Sequence, residues 1–300
     1  MTRPVLQSAW RADLALVFIT LIWGATFVVV KQALENSSTL LFLALRFSLA
    51  TLALALIFRP RPSKFPRSKP LLAGGVAAGV CLFCGYLLQT VGLRYTTPSK
   101  SAFITGLSIV LVPVLAALVQ RRMPLPREAL GVVVATGGMA LLTLPGQTWH
   151  IAKGDLLTLG CAVAFAVHIL VVGHYSPRLG FQALTLVQIA TTAGLSLASF
   201  WWAETPLIRW RPGVVAALLV TGLLATALAF GVQAWAQQYT TPTRTALIFA
   251  LEPVSAWLTS FLLTGELLSR HGTLGAVLIL AGILLVELKP AAPTSQEGGL

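Results

Sequence analysis

Charge is what this chain has least of. Only nine Asp and Glu stand among 300 residues, and charged side chains of both signs make up 10%. An ordinary soluble domain carries roughly a quarter, so a water-facing surface over the whole chain is excluded. Cysteine is rarer still: Cys81, Cys84 and Cys161 all fall inside apolar stretches, and Cys81 and Cys84 have no histidine nearby. Buried thiols are therefore expected, rather than a metal site or a disulfide. The four histidines, His150, His168, His174 and His271, are scattered, and no glycine-rich phosphate loop occurs. A membrane enzyme acting on lipid-linked substrates would need such clusters. The chain is accordingly expected to be no enzyme and to need no cofactor and no metal.

What the chain does have is apolar length. Hydrophobic residues reach 56% and the mean hydropathy is +0.84, the composition of a chain dissolved in lipid. A helix needs roughly 20 residues to cross about 30 Å of hydrocarbon. On that measure, ten spans are expected at 13–32, 39–58, 71–93, 98–120, 128–146, 154–175, 180–202, 212–238, 243–264 and 271–288. They must be helical, since lipid offers no partner for a free amide and alternating barrel strands are absent. The first span is read as a true helix, with no clear cleavage site after it. The residues from Pro290 to Leu300 are small, polar and rich in Pro and Gly, and are expected to form a disordered tail.

The loops orient the chain. Those sharing a side with the N-terminus hold the run from Arg59 to Lys69 and the pair Arg121-Arg122, whereas the other side holds mainly single cations such as Lys31, Arg94 and Arg209. The excess of Lys and Arg marks the cytoplasmic side, so both termini are expected there. The formal charge of +12 thus reads as topology and contact with anionic lipid, and no nucleic-acid partner is expected.

One half of the chain copies the other. Tyr95-Thr96-Thr97-Pro98 recurs as Tyr239-Thr240-Thr241-Pro242, an offset of 144 that also aligns Gln89 with Gln233, Gly131 with Gly275 and Gly138 with Gly282. Nearer the N-terminus the offset becomes 142, where Asp13 meets Asp155, Trp23 meets Phe165 and Arg46 meets Gln188. The division expected is a first repeat at 1–147, a second at 148–289 and the tail at 290–300, with five helices per repeat. An odd number makes the second copy enter from the opposite face. The fold class expected is therefore all-α integral membrane, with ten transmembrane helices as two inverted five-helix repeats. Inverted repeats place a substrate site near the midplane.

Polar groups inside the spans mark the interior of the bundle, because lipid exposure is costly for them. Glu252, the tenth residue of the ninth span, is too deep to snorkel. It is a candidate proton carrier or amine ligand, or else a structural acid paired with Arg46. It shares a helical stripe with Thr245, Ser255 and Thr259, expected to face a cavity or a neighbouring helix, and Pro253 should kink the helix there. Arg46 lies well inside the second span and can brace the bundle or grip a carboxylate. Gln89 pairs with Gln233 and Thr26 with His168 across the repeat, while Ser108 faces Glu252. Tyr86 and Gln89 lie one turn apart, as do Gln233 and Gln237. The candidate substrate-binding set is thus Trp23, Arg46, Tyr86, Gln89, His168, Gln188, Gln233 and Glu252.

Among the tryptophans, Trp23, Trp235 and Trp257 sit near span centres and read as bundle core or stacking wall. Trp10, Trp149, Trp201, Trp202 and Trp210 sit near span ends, as an aromatic belt does. The glycines Gly75 and Gly79, Gly131, Gly138, Gly275 and Gly282 suit close helix packing, within a monomer or across a homodimer.

The stretches Leu21-Ile-Trp23-Gly24-Ala-Thr26-Phe27, Ala44-Leu45-Arg46-Phe47, Tyr95-Thr-Thr-Pro98-Ser-Lys-Ser-Ala102 and Ala250-Leu-Glu252-Pro253-Val254, with Gly265-Glu266 beyond, resemble the drug/metabolite transporter superfamily, in its EamA branch. The resemblance spans nearly the whole chain. It implies ten helices in inverted repeats and secondary export of small metabolites, often amino acids, across the bacterial inner membrane. By position it puts Trp23, Phe165, Arg46 and the Glu252-Pro253 kink in or beside a central cavity. First halves in that branch often close their fourth helix with a Gly-Glu pair, and here Arg121-Arg122 stands there instead. The function expected is alternating-access export driven by protons or by exchange. The rival is a passive facilitator or channel for small solutes.

Overall fold

The structure is a computed structural model that describes residues 3–59, 68–121, 125–143, 152–264 and 269–287. The centre of the basic run at 60–67, Arg122, Trp149, His150, Gly265-Glu266, Lys289 and the tail at 290–300 lie outside the described residues.

Helix follows helix. The order is α1 (Arg3–Ala33), α2 (Thr39–Phe58), α3 (Lys69–Leu93), α4 (Pro98–Gly106), α5 (Ser108–Gln120), α6 (Pro126–Thr143), α7 (Lys153–Leu179), α8 (Phe181–Ala203) and α9 (Pro212–Leu219). A π-helix (Val220–Leu228) leads into α10 (Ala229–Ala236), then α11 (Pro242–Phe249), α12 (Glu252–Thr264) and α13 (Arg270–Glu287). Among the described residues the sole β feature is one bridge, Ser37 with Ile208. Among the described residues, seven segments are long and apolar enough to span a membrane, including α4–α5 and the run from α9 to α10 each taken as one. The other expected spans fall on α6, α11–α12 and α13.

Local chemistry sets the helix ends. Ser68, Thr97 and Thr241 each cap an N-terminus by accepting a hydrogen bond from a backbone N–H three residues on, at 3.3, 3.2 and 3.2 Å. Pro98 and Pro242 follow their caps directly, where a missing amide leaves no bond unmade. One residue, Gly180, separates α7 from α8 with φ at +79°, a region that glycine alone enters freely.

Two helices are interrupted. α4 ends at Gly106 and α5 begins at Ser108, and α11 ends at Phe249 and α12 begins at Glu252. Both breaks lie at the same repeat register. A kink at Pro253 was expected, but the interruption falls before it, at Ala250-Leu251, and its counterpart at Leu107 has no proline beside it. Proline therefore accounts for one break at most.

Packing relies on close backbone approach, since lipid supplies no hydrophobic drive between helices. α6 lies against α13, where a Cβ on Gly131 would meet the Gly282 carbonyl oxygen at 2.8 Å and one on Gly138 the Gly275 carbonyl oxygen at 2.6 Å. Gly75 and Gly79 seat α3 on α8, against Val187 and the Gln188 carbonyl, so this GxxxG works within the monomer. The outer surface is apolar, with Leu56 75%, Val119 79% and Trp202 79% exposed. Such a surface suits lipid and not water. Trp10, Trp201 and Trp210 are exposed as well. The cysteines depart from expectation: Cys161 is buried, but Cys81 is half-buried and Cys84 exposed, because α3 turns that face outward, and in lipid a thiol there needs no burial by protein.

Among the described residues, two ion pairs fasten the bundle. Arg244 Nη2 stands 2.8 Å from Asp13 Oδ2, and Lys100 Nζ stands 3.4 Å from Asp155 Oδ2.

Candidate functional site

Residues of α1, α2, α3, α7, the half-helices and α10 line a cavity of about 70 Å³. That is several times the roughly 10–15 Å³ that one water requires. Seven of the eight residues singled out in the sequence line it: Trp23, Arg46, Tyr86, Gln89, His168, Gln233 and Glu252. The eighth, Gln188, stands behind the wall. Its Oε1 lies 2.9 Å from His168 Nε2 and orients that ring.

Arg46 is 3% exposed. Its Nε donates to Thr226 Oγ1 at 2.8 Å and its Nη2 to Tyr86 Oη at 3.1 Å, with the guanidinium 4.5 Å from the Tyr86 ring centre. These are neutral partners. Among the described residues no carboxylate pairs with Arg46, so the pairing with Glu252 weighed from the sequence is not made. A guanidinium has five donors, and the two bonds above use two of them.

Glu252 opens α12. It sits just past the break, where the first backbone amides of a helix have no internal partner, and Ser108 occupies the same place at the head of α5. Its backbone is fixed by α1: a Cβ on Gly24 would meet the Glu252 carbonyl oxygen at 2.5 Å. The rest of the expected stripe turns away from the cavity. Ser255 Oγ donates to the Leu21 carbonyl at 2.7 Å, while Thr245 and Thr259 bond within their own helices. Only Glu252 of that stripe reaches the cavity.

The remaining wall is aromatic. Trp23 stacks edge-on with Phe249 at 4.9 Å and tilted against Phe230 at 5.4 Å, and Tyr86 meets Phe165 at 5.3 Å. Trp235 and Trp257 pair instead with Tyr239 and Phe261, outside the cavity. Gln89 donates to Thr105 Oγ1 at 3.1 Å, and Gln233 to Gln237 Oε1 at 3.2 Å.

The sequence reading missed the π-helix. Within it, Thr226 Oγ1 donates to the Thr221 carbonyl five residues back at 2.7 Å, and the Ala225 carbonyl accepts from Trp23 Nε1 at 2.8 Å. The wider turn thus holds two cavity residues, Trp23 and Arg46. Thr226 itself looks like an unremarkable threonine in an apolar run, and a wide turn leaves no mark in residue type.

Comparison with known proteins places this arrangement. The profile of the EamA-like transporter family matches residues 10–144 and again 152–288. A transporter of Archaeoglobus fulgidus, named as uncharacterized, is 34% identical over 93% of this chain and 86% of its own. A protein of Salmonella typhimurium named "Probable amino-acid metabolite efflux pump" is 30% identical over 89% of this chain and 91% of its own. The Escherichia coli inner membrane transporter YedA is 24% identical over 91% and 90%. A solved crystal structure superposes with a TM-score of 0.76 over 93% of this chain and 98% of that one, at 17% identity, which speaks for the fold alone.

Proposed function

The chain belongs to the EamA-like transporter family and is a multi-pass membrane transporter, and from that premise we propose that it exports small zwitterionic metabolites, amino acids or close relatives, by alternating access. The observation that carries this reading is the charge arrangement of the cavity. Arg46 and Glu252 both face it, and neither has an ion-pair partner among the described residues. Opposite charges held apart in a low-dielectric site are complementary to a cargo bearing one of each. A carboxylate would lie on Arg46 and an ammonium group at Glu252, with apolar parts of the cargo against Trp23, Phe165 and Phe230. The name of the Salmonella relative agrees with such a cargo.

The carrier is a bundle of ten helices in two inverted five-helix repeats, 1–147 and 148–289, with both termini cytoplasmic in a bacterial inner membrane. The matched helix breaks, the matched ion pairs and the reciprocal Gly131–Gly282 and Gly138–Gly275 contacts support that symmetry. Transport is driven by the proton gradient, with Glu252 as carrier, or by exchange.

Purified protein in liposomes loaded with neutral amino acids tests this. Saturable counterflow of a labelled amino acid is expected. Non-saturating flux at channel rates would replace the carrier by a passive pore, and no counterflow with any zwitterion would remove the cargo assignment.

A further inference from the structure

The two ion pairs lie away from the cavity, and the cargo reading leaves them unused. They are images of each other. Lys100 and Arg244 are related by the offset of 144, and Asp155 and Asp13 by the offset of 142, so one pair maps onto the other under the repeat. Each cation is the third residue of a helix that starts at the proline of Tyr-Thr-Thr-Pro. Each partner sits in the opposite half, Asp155 near the start of α7 and Asp13 on α1. The pairs are partly shielded, with side chains 11–18% exposed.

Each cation also rides on a short rigid rod that ends at the cavity. α4 runs from the Lys100 pair to the break at Leu107, beside Thr105 and Ser108; α11 runs from the Arg244 pair to the break at Ala250-Leu251, beside Phe249 and Glu252. Eight residues separate Arg244 from Glu252, about 12 Å at a rise of 1.5 Å per residue. A rod with a tightened turn at one end, where Leu107 and Ala250 donate to carbonyls three residues back, and an ion pair near the other has the form of an arm with a hinge and a latch.

We propose that the Asp13–Arg244 and Asp155–Lys100 ion pairs are the two latches of the carrier, one at each mouth, each holding a half-helix arm closed over the cavity. Both are fastened in this structure. Releasing one lets its arm swing on the break and opens the cavity to that face alone. The arms meet the cargo at their hinge ends, so cargo on Ser108 or Glu252 biases the latch at the far end. The latches differ in one neighbouring hydroxyl: Thr96 Oγ1 donates to Asp155 at 2.6 Å, whereas the hydroxyl of its counterpart Thr240 is buried with no partner among the described residues. The inference rests on the alternating-access reading.

The test uses the full chain with Cys81, Cys84 and Cys161 changed to Ala and one reporter, Ser108→Cys, on the cavity wall. Labelling of the reporter by a membrane-impermeant methanethiosulfonate is timed in right-side-out and in inverted vesicles. Arg244→Ala should speed labelling roughly threefold or more from the face where Arg244 lies and leave the other face unchanged. Lys100→Ala should do the reverse. Exchanging the charges, Asp13→Arg with Arg244→Asp, should return the starting rate. If Arg244→Ala does not insert, Asp13→Asn releases the same latch with the same expectation. Faster labelling from both faces, from neither, or without recovery on charge exchange would overturn the proposal. Amino-acid counterflow on the same preparations separates the two claims. One-sided labelling without counterflow keeps the latches and removes the cargo reading; counterflow with labelling indifferent to all variants does the opposite.

Discussion

Arg46 and Thr226, 180 residues apart in the chain, meet in a 2.8 Å hydrogen bond at the wall of the cavity. The threonine hydroxyl accepts from Arg46 Nε while donating to the Thr221 carbonyl, so the π-turn and the guanidinium hold each other in place.

Thr226→Val keeps the shape of this contact and removes the acceptor. A buried donor left unsatisfied costs about 1–3 kcal/mol, more when charged. The expected outcome is a rise in the apparent KM for counterflow of roughly tenfold, with Thr226→Ser close to the parent. Equal KM values for Val and Ser would show that the bond does not position Arg46 for cargo.

Glu252→Gln separates the two driving modes. Counterflow should persist at a raised KM, because the glutamine oxygen still accepts from the cargo ammonium but carries no charge, and uptake driven by an imposed pH gradient should vanish, if Glu252 carries the proton. Measuring both fluxes against pH in the same liposomes decides it: gradient-driven uptake with unchanged rate and pH dependence would take the role away from this residue.

At the α6–α13 crossing, Gly138→Leu should lower the melting temperature in detergent by several degrees, corresponding to about 1–3 kcal/mol of overpacking. A side chain there drives into the Gly275 carbonyl oxygen at 2.6 Å and the Ile279 backbone nitrogen at 2.8 Å. Gly137→Ala, one residue away, meets nothing within 4 Å and should leave the temperature unchanged or raise it slightly, since alanine favours helix over glycine. Equal losses at both positions would contradict the packing.

Gly24→Ala puts a methyl group 2.5 Å from the Glu252 carbonyl oxygen and 2.6 Å from Ser255 Cβ. It should push the head of α12 away from α1 and reduce counterflow severalfold. Folding should suffer less than from Gly138→Leu, because the half-helix can shift at its break. Thermal melts and flux on one preparation check both parts.

The candidate site was unusually legible in the sequence, and its lattice of contacts was not. Polar groups such as Gln89, His168 and Glu252 stand out in apolar spans, because hydrocarbon tolerates them only when they face protein or water. Periodicity does not say which of two buried polar groups reaches the cavity. Gln188 and His168 are equally conspicuous, yet one lines the space and the other lies behind it. Thr245 and Ser255 share a stripe with Glu252, yet their hydroxyls bond to the Thr241 and Leu21 carbonyls instead.

What the sequence by itself determined is the solvent, the helical state and the register of the duplication. Composition, the absence of charge and a fixed offset all follow from residue identity alone. Only the tertiary structure decided the partners. Arg46 takes Thr226 and Tyr86 instead of Glu252, α3 shows Cys84 to the outside, and the two Tyr-Thr-Thr-Pro helices stop at their breaks. Each of these depends on how close two backbones approach and how far one turn is wound, distances set by packing between segments that lie far apart in the chain.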